Sequence, residues 1–273
     1  MKNILKKIKD LFWLKLQIDE LLGSIQYNSR VNILNELVVN SQNFGVTKEK
    51  YCEQDFVVSL TTYDKRLYDV YLTIESLMQQ TRKANRIVLW LDQQTVNNPL
   101  PMSLQMQIVR GLEVRYCKDL RSYTKLIPSL KAFPADTIIT VDDDLIYDVD
   151  MLDKLIMAYL KDPTKIYYNR GHLMKLVSSN ELEKYQCWQW QSPILTPSHF
   201  NFPTGVGGVL YPPNCFDKEV LNESVFMEIC KYADDVWFKA MAMLKGTLSQ
   251  KVYTRNALGE EYLENPNVQD IAL

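Results

Sequence analysis

The sequence has few of the residues that form histidine or cysteine metal centres. It contains only two histidines, His172 and His199, which excludes a histidine-rich metal site. Its five cysteines are odd in number, widely scattered and without a CxxC pair: Cys52, Cys117, Cys187, Cys215 and Cys230. This pattern favours reduced thiols in a cytosolic compartment over a disulfide framework or a zinc site.

The sequence also lacks a strong net charge and a long apolar run. Its formal net charge is −2, so no global basic field indicates nucleic acid as a partner. No apolar run reaches the length of a membrane span, and the first residues lack the small-residue cleavage pattern of a signal peptide. We therefore expect a cytoplasmic protein.

The first 25 residues have the apolar periodicity of an amphipathic helix, and four lysines fall within the first nine positions. A basic amphipathic helix can lie on an anionic membrane surface, which makes the inner membrane face a candidate location. The same pattern also fits a helix that packs on a partner helix or on its own domain. The sequence leaves both interpretations open.

From residue 56 onwards, short β-rich runs alternate with helical patterns. The strand-like runs begin near Phe56, Arg86, Leu112 and Thr137, and helical periodicity separates them. Nearly continuous apolar strands in such an order predict an α/β fold with a mostly parallel sheet flanked by helices. Ligands in these folds bind beyond the carboxyl ends of the strands.

Three adjacent aspartates, Asp142, Asp143 and Asp144, follow the most β-branched of these strands. Two-residue alternation would place Asp142 and Asp144 on one side of the strand and Asp143 on the other. Such close carboxylates repel one another, and no Lys or Arg lies within nine residues on either side. A Mn²⁺ or Mg²⁺ ion held by Asp142 and Asp144 is the simplest remedy. Helix capping is the alternative, but Asp148 or Asp150 is placed to supply that cap.

A second acidic pair, Asp234 and Asp235, opens a helical pattern. A carboxylate at a helix N-terminus is stabilised in its ionised form by the helix dipole, which suits a general base. We favour Asp235 over Asp234 for this role. An ordinary N-cap is the alternative interpretation.

Several stretches together resemble the nucleotide-binding half of GT-A glycosyltransferases, particularly the family-2-like enzymes of bacterial capsule and lipopolysaccharide biosynthesis. They are residues 59–63, 72–77, 87–91 and 141–144. The last is similar to the family's DXD motif, and residues 233–238 are similar to its ED motif with Asp234 in place of Glu. The resemblance covers roughly residues 55–250 and leaves the N-terminal helix outside.

The resemblance implies a GT-A (Rossmann-like) fold over residues 51–273, with a nucleotide-binding half (51–145) and an acceptor half (146–273). Residues 1–50 would be a helical extension. It also implies a nucleotide diphosphate sugar as donor, with a UDP-sugar favoured, and a glycan or lipid-linked acceptor. A single base predicts inversion at the anomeric carbon, although retention stays open.

The resemblance also assigns roles to individual residues. The nucleotide-binding set comprises Thr61, Thr62, Tyr63, Arg66, Asp92, Lys125 and Asp143. The substrate set comprises Gly207 and Gly208, since an equivalent Gly-containing strand lines the donor sugar in the family, together with Trp188 and Trp190. The two tryptophans are selected from the residues themselves, because with Tyr185 they form an aromatic cluster that could stack on the acceptor or the donor sugar. Asn267 and Asp270 are candidates to close over the site.

Each of these roles has a structural alternative. Arg66 and Lys125 also fit solvated surface charges, and Tyr63 also fits simple packing. Asp92 also fits a turn, and the tryptophans also fit a core.

Two other classes of protein share part of the pattern. A phosphatase with an aspartyl nucleophile also uses a strand followed by DxD, but that strand normally opens the domain, whereas three strands precede it here. A non-catalytic carbohydrate-binding protein would use the aromatic residues without needing two acidic motifs.

Overall fold

The computed structural model describes residues 2–178, 181–256 and 259–266, with the backbone alone for 2–8 and 10. It consists of two compact units, Met1–Ser41 and Gln42–Leu273. Asn267 and Asp270 lie outside the described residues.

The first unit is one long helix, α1 (Lys2–Asn40). The predicted helix is confirmed, but it is longer than the 25 residues expected because residues 26–40 contain neither Gly nor Pro to end it. Many of its described apolar side chains are strongly exposed, among them Leu11, Phe12, Trp13 and Ile18, whereas Leu34 and Val38 near its end are buried. Among the described residues, no helix is both long enough and apolar enough to cross a membrane.

The second unit is built around a seven-stranded sheet. In spatial order its strands, numbered along the chain, are β12 (Ser249–Lys251), β6 (Ile166–Tyr168), β11 (Val209–Tyr211), β4 (Thr137–Thr140), β1 (Phe56–Thr61), β2 (Arg86–Asp92) and β3 (Leu112–Cys117). β11 is antiparallel to both of its neighbours, and every other neighbouring pair is parallel. The predicted mostly parallel sheet is therefore confirmed.

Helices and three small strand pairs complete this unit. The helices are α2 (Val70–Met78), α3 (Met102–Val109), α4 (Ile127–Ala132), α5 (Met151–Lys161), α6 (Glu223–Ile229) and α7 (Asp234–Lys245). The pairs, all antiparallel, are β7 (Gly171–Leu173) with β10 (Asn201–Pro203), β5 (Leu145–Tyr147) with β13 (Tyr262–Glu264), and β8 (Leu176–Ser178) with β9 (Glu181–Leu182).

Both faces of the sheet are covered, which explains why its central strands are apolar without a polar side. In β1, Phe56, Val58 and Leu60 face the core under α2, α3 and α5, whereas Val57 faces the core under α4, α6 and α7. All four side chains are fully buried. Each contributes about 1.5–3 kcal/mol of hydrophobic stabilisation relative to an exposed position.

The helical pattern of residues 122–131 is interrupted in the structure. The chain forms a 3₁₀ turn over Arg121–Lys125 and begins α4 only at Ile127, with Pro128 in the first turn of that helix. Proline is tolerated there but not in a helix interior, because its ring clashes with the preceding turn. The interruption leaves Lys125 at a bend in the chain rather than on a regular helix.

One buried ion pair joins α2 to the segment that follows α3. The Arg110 guanidinium donates two hydrogen bonds of 2.9 Å to the Glu75 carboxylate. Gln107 and Gln79 donate to the same carboxylate at 3.1 and 2.7 Å. Glu75 has no exposed surface, so its charge depends entirely on these partners.

We predict that Arg110→Met lowers the free energy of unfolding by about 3–5 kcal/mol, because it leaves a buried carboxylate without its cation. Chemical denaturation measures this loss. The double variant Glu75→Met/Arg110→Met is the matched control and should lose less than the single variant. A loss below about 1 kcal/mol in Arg110→Met would contradict the assignment.

Candidate active site

A cavity of about 270 Å³ lies beyond the carboxyl ends of β1 and β2. Its lining is mostly polar side chains with two leucines: Thr61, Thr62, Tyr63, Asp64, Leu67, Leu91, Asp92, Thr95, Asp119, Arg121 and Thr124. The structure thus brings together four residues of the predicted nucleotide-binding set, Thr61, Thr62, Tyr63 and Asp92. Asp92 also accepts a hydrogen bond from the Gln94 N–H at 3.2 Å and so caps the turn after β2.

Two residues of this cavity have a strained backbone. Asp64 has φ = 49° and Arg121 has φ = 58°, in the left-handed region that side chains other than glycine rarely adopt. The Asp119 carboxylate supports Arg121 by accepting its backbone N–H at 2.7 Å. Such strain concentrates at functional sites. The sequence analysis did not identify Asp119 and Arg121, because a left-handed backbone conformation at an arginine cannot be detected from hydrophobic periodicity.

Asp143, the middle residue of the acidic triplet, is buried and held by protein groups. It accepts hydrogen bonds from Thr62 Oγ1 at 2.6 Å and from Arg66 Nη1 at 2.7 Å. Thr73 Oγ1 donates to its backbone carbonyl at 2.9 Å. Burial raises the pKa of Asp143, while Thr62 and Arg66 oppose that rise. Thr62, Arg66 and Asp143, all assigned to the nucleotide-binding set, are thus joined to one another.

The two-residue alternation expected for the triplet does not extend through it. β4 ends at Thr140, and residues 143 and 144 form a turn, so Arg66 lies 2.7 Å from Asp143 and 3.5 Å from Asp144. Burial, followed by the charge of Asp142, raises the pKa of Asp144 to about 6. No Lys or Arg near the triplet in the sequence compensates its negative charge. Arg66, which lies 77 residues from Asp143 in the sequence, therefore supplies part of that compensation.

Lys125 is the second cation at the triplet. Its Nζ lies 2.8 Å from Asp142 Oδ1 and 3.7 Å from Asp234 Oδ2, and the residue is 8% exposed. Burial alone would lower the pKa of Lys125, but Asp142, Asp234 and Asp235 outweigh that effect and raise the pKa well above its usual value. Lys125 is therefore a permanent charge at the site.

Hydrogen bonds hold the backbone of Lys125 against the sheet. Ser59 Oγ, on β1, donates to the Lys125 carbonyl at 2.6 Å. The same hydroxyl is 2.7 Å from Ser129 Oγ, which accepts the indole N–H of Trp90 at 2.8 Å. Through these contacts β1, β2 and α4 together fix the bend that carries Lys125.

Asp234 and Asp235 lie at the start of α7. The Lys125 ammonium lies between Asp234 and Asp142 of the triplet. Asp235 Oδ2 accepts the Gly205 N–H at 3.0 Å. Burial, followed by the charge of Asp234, raises the pKa of Asp235 to about 7. Asp234 Oδ2 is buried and has no hydrogen-bond partner among the described residues. The pair from the second half of the chain thus lies beside the acidic triplet.

Gly205 is the glycine at this junction. A Cβ there would lie 2.5 Å from Lys125 Nζ and 3.5 Å from Asp235 Oδ1, so any larger residue would displace the Lys125 ammonium from its present position. Gly207 and Gly208, the two glycines selected from sequence, have φ of 92° and 98°. Gly207 lies beside Asn169 and Arg170, whereas Gly208 faces Met151 in the core, so the structure does not bring Gly208 to the carboxylates.

The predicted substrate residues Trp188 and Trp190 belong to an aromatic cluster with His172, Tyr185 and Phe202. They do not lie on a regular strand, because residues 185–187 form a 3₁₀ turn and Gln189 forms only an isolated bridge with Leu173. Trp190 is 51% exposed, and Trp188 is partly buried.

A second group of carboxylates, Asp148, Asp150 and Glu261, is close enough to hold a metal ion. Protein cations already occupy it: Arg255 pairs with all three, and Lys154 pairs with Asp150 and Glu261. The expectation that Asp148 or Asp150 caps α5 is wrong. Asp150 precedes the helix without a side-chain cap, and Asp148 accepts from Val149 N–H.

The triplet has the chemistry of a divalent cation site. Asp142 and Asp144 offer hard carboxylate oxygens, the ligands that Mg²⁺ and Mn²⁺ prefer. The carboxylates of Asp142, Asp143, Asp144, Asp234 and Asp235 outnumber the two neighbouring cations, Arg66 and Lys125. Burial is the main cause of the raised pKa of Asp144, and the negative charge of Asp142 adds to it, so the carboxylate is not fully compensated by the protein's own cations. A divalent cation therefore fits the residues present.

No protein-family model matches the sequence, and no curated protein matches it. Among solved structures, residues 1–349 of TarS from S. aureus align with a TM-score of 0.50 and 16% identity, over 77% of this chain and 59% of that chain. The chain thus spans about three fifths of the length of that TarS fragment. The inositol-1-phosphate CTP transferase from T. maritima aligns with a TM-score of 0.44 and 11% identity, over 74% of this chain and 86% of that chain.

At these identities the likeness concerns the fold alone. It agrees with the α/β architecture described above, and the predicted GT-A fold class, with its mostly parallel sheet and N-terminal helix, is confirmed.

We predict that Asp235→Asn stabilises the protein, and more so at pH 8 than at pH 5. The folded pKa of Asp235 is about 7, above its usual value of 3.8, so the folded state of the wild type loses stability as pH rises from about 4 to about 7. The amide carries no charge, and we expect a gain of about 1–3 kcal/mol at pH 8. Thermal unfolding in EDTA at both pH values measures it.

The control is Asp217→Asn, at the start of a 3₁₀ turn where its carboxylate accepts the Glu219 N–H. This variant should give no gain at pH 8. Equal stability of Asp235→Asn and wild type at both pH values would show that Asp235 is not destabilised by its surroundings.

Proposed function

We propose that this protein is a glycosyltransferase, which moves a sugar from a nucleotide diphosphate sugar to an acceptor hydroxyl. The observation that carries the proposal is the convergence of Asp142, Lys125 and Asp235 within one site beside a polar cavity. The cavity lies beyond the carboxyl ends of parallel strands, where α/β folds bind their ligands. The GT-A fold is consistent with this chemistry but does not by itself establish it.

The donor would occupy the cavity, with its nucleoside against Thr61, Tyr63 and Asp92 and its diphosphate towards Lys125. The resemblance of residues 59–63 to GT-A enzymes favours a UDP-sugar. The carboxylates around Lys125 would repel a diphosphate, so its binding calls for added positive charge. Mn²⁺ or Mg²⁺ held by Asp142 and Asp144 would supply that charge and act as a Lewis acid on the leaving nucleoside diphosphate.

Asp235 is proposed as the general base, with Asp234 beside it. Its carboxylate has one oxygen fixed by the Gly205 N–H. Its pKa of about 7 makes it a stronger base than an ordinary aspartate while leaving a large ionised fraction at neutral pH. Asp235 would accept the proton of the acceptor hydroxyl as that oxygen attacks the anomeric carbon. Attack by one activated hydroxyl opposite the leaving group inverts the anomeric configuration.

The acceptor is proposed to be a glycan or a lipid-linked glycan of bacterial surface polysaccharide synthesis, in capsule or lipopolysaccharide assembly. The sequence resemblance supports this setting. Of the predicted substrate set, Trp190 and Gly207 are the residues proposed to meet a substrate, since Gly208 faces Met151 in the core and Trp188 is partly buried.

The test is release of nucleoside diphosphate from a panel of nucleotide sugars, measured with Mn²⁺, with Mg²⁺ and with EDTA. We expect one donor to be turned over only with metal. Asp142→Asn and Asp235→Asn should each reduce kcat/KM by at least about 100-fold, because the first removes a proposed ligand of the metal ion and the second removes the proposed base. Asp217→Asn serves as the control and should retain wild-type turnover.

Other outcomes would favour other classes of protein. Glycan binding without turnover of any donor and without metal dependence would indicate a carbohydrate-binding protein on a GT-A-like fold. Phosphate release from a generic aryl phosphate would indicate the DxD phosphatase.

We also propose that α1 makes peripheral contact with an anionic membrane, on the cytoplasmic face. Its first nine residues include four lysines, and Phe12 and Trp13 are exposed just after them. The full chain should sediment with vesicles containing anionic phosphatidylglycerol more than with neutral phosphatidylcholine vesicles. Phe12→Ser/Trp13→Ser should reduce sedimentation several-fold, and equal sedimentation of wild type and variant would refute the contact.

A further inference from the structure

The aromatic cluster in the acceptor half contains two kinds of ring. We call the set His172, Tyr185, Trp188, Trp190 and Phe202 the aromatic shelf. Trp188 is partly buried, its indole N–H donates to the Glu183 carbonyl at 2.8 Å, and its ring lies 5.2 Å from Phe202. Its contacts are those of a supporting side chain.

Tyr185 and Trp190 form the open side of the shelf. They are 41% and 51% exposed, which is unusual for two large rings in contact. Their centroids are 5.2 Å apart and their planes are inclined at 59°, so the two rings form an angled pair rather than a flat stack. A ligand lying on the Trp190 face would also meet the Tyr185 ring.

Trp190 is held in position before any ligand arrives. Buried His172 stacks against it at 4.9 Å with an interplanar angle of 29°. His172 Nδ1 accepts the backbone N–H of Gln191, the residue after Trp190, at 3.0 Å. Gln191 has φ = 48°, a strained value for this residue type, and its side-chain amide donates to Glu260. Strain persists only where the surroundings enforce it and is characteristic of ligand-binding segments.

The shelf adjoins the carboxylates of the candidate active site. Phe202 lies on β10, and only three residues later Gly205 donates its N–H to Asp235. Three extended residues span at most about 10 Å. The Asp235 charge also contributes to the raised pKa of Tyr185, after burial, so the phenol lies within the electrostatic reach of the proposed base.

Polar groups border the open rings. Arg170 lies next to β7 of the shelf and 3.8 Å from Glu260, and its Nη1 donates to Thr204 Oγ1 at 3.1 Å. Gln191 and Glu260 border the same side. The surface therefore combines an apolar plane with hydrogen-bonding groups at its edge. A pyranose ring has the complementary form, with a face of C–H bonds and a rim of hydroxyls.

We propose that Trp190 and Tyr185 form the subsite for the acceptor sugar, a hexopyranose that lays its C–H face on the exposed indole. Trp188 serves as a support, and His172 and Gln191 are positioning residues that fix the indole. This inference extends the proposed function and rests on it, because the bound sugar is an acceptor only if the protein is a glycosyltransferase. The binding of a pyranose to the shelf can be tested without turnover.

The experiment measures binding of methyl hexopyranosides and methyl N-acetylhexosaminides to the full chain by saturation-transfer NMR and tryptophan fluorescence. The hexitol sorbitol is the probe control, because it has hydroxyls but no ring face. We expect at least one pyranoside to bind and sorbitol not to bind. Trp190→Ala should weaken that binding by about 10-fold or more, and Trp190→Phe should restore part of it.

Tyr253→Ala is the matched variant, since Tyr253 is an aromatic residue outside the shelf and is 71% exposed. It should bind the pyranoside as the wild type does. Thermal unfolding of each variant identifies any loss of fold. If Trp190→Ala does not fold, pyranoside binding by Trp190→Phe and by Tyr185→Ala tests the subsite instead.

Wild-type pyranoside affinity in folded Trp190→Ala, equal binding of sorbitol, or no pyranoside bound by the wild type would each overturn the subsite. If donor turnover is present in the panel but pyranoside binding fails, only the shelf proposal is lost. If a pyranoside binds through Trp190 while no donor is turned over, the shelf stands and the glycosyltransferase proposal is lost.

Discussion

The ammonium of Lys125, enclosed by carboxylates from two distant parts of the chain, is the interaction on which the candidate site depends. Asp142 follows the strand at the centre of the sheet, and Asp234 and Asp235 begin a helix about 90 residues later in the sequence. Without a cation between them these groups would repel, because like charges in a poorly hydrated site interact strongly. Lys125 thus joins groups from the first and the second part of the sheet-containing unit.

The same arrangement determines the net charge of the candidate site. A second cation, Arg66, is committed to Asp143 and approaches Asp144, so the protein's own cations are already engaged. The remaining charge is negative. Burial raises the pKa of Asp144 and of Asp235, and the charge of a neighbouring aspartate adds to each rise. In the free protein the site therefore already contains more carboxylates than cations. Preorganised charge is typical of catalytic sites, where the groups are arranged for the reacting state rather than for stability.

The sequence predicts the parts of this structure that depend on local pattern. The apolar strands, the parallel order and the acidic residues at the end of β4 all follow from periodicity and composition, and the structure confirms the fold. The contacts that depend on distant residues could not be obtained in this way. Arg66 meets Asp143 across 77 positions, and Ser59 meets Lys125 across 66.

Backbone conformation explains the other failures of sequence reasoning. The turn at residues 143 and 144 ended the expected alternation, and Pro128 displaced the start of α4 and left Lys125 at a bend. Gly205 could not be distinguished from Gly207 and Gly208 by composition, because only its distance from Lys125 sets it apart.

The pairing of β13 with β5 has a consequence for the order in which the site is completed during synthesis. β5 follows the acidic triplet directly, and the Asn265 N–H donates to the Asp144 carbonyl at 2.8 Å. The ribosome must therefore add more than 100 residues after the triplet before its backbone gains this partner. Contacts between such distant positions form late, because the intervening chain must first be ordered. A nascent chain would thus contain all seven strands of the sheet, the last of them β12, before the Asp144 carbonyl gains its Asn265 partner.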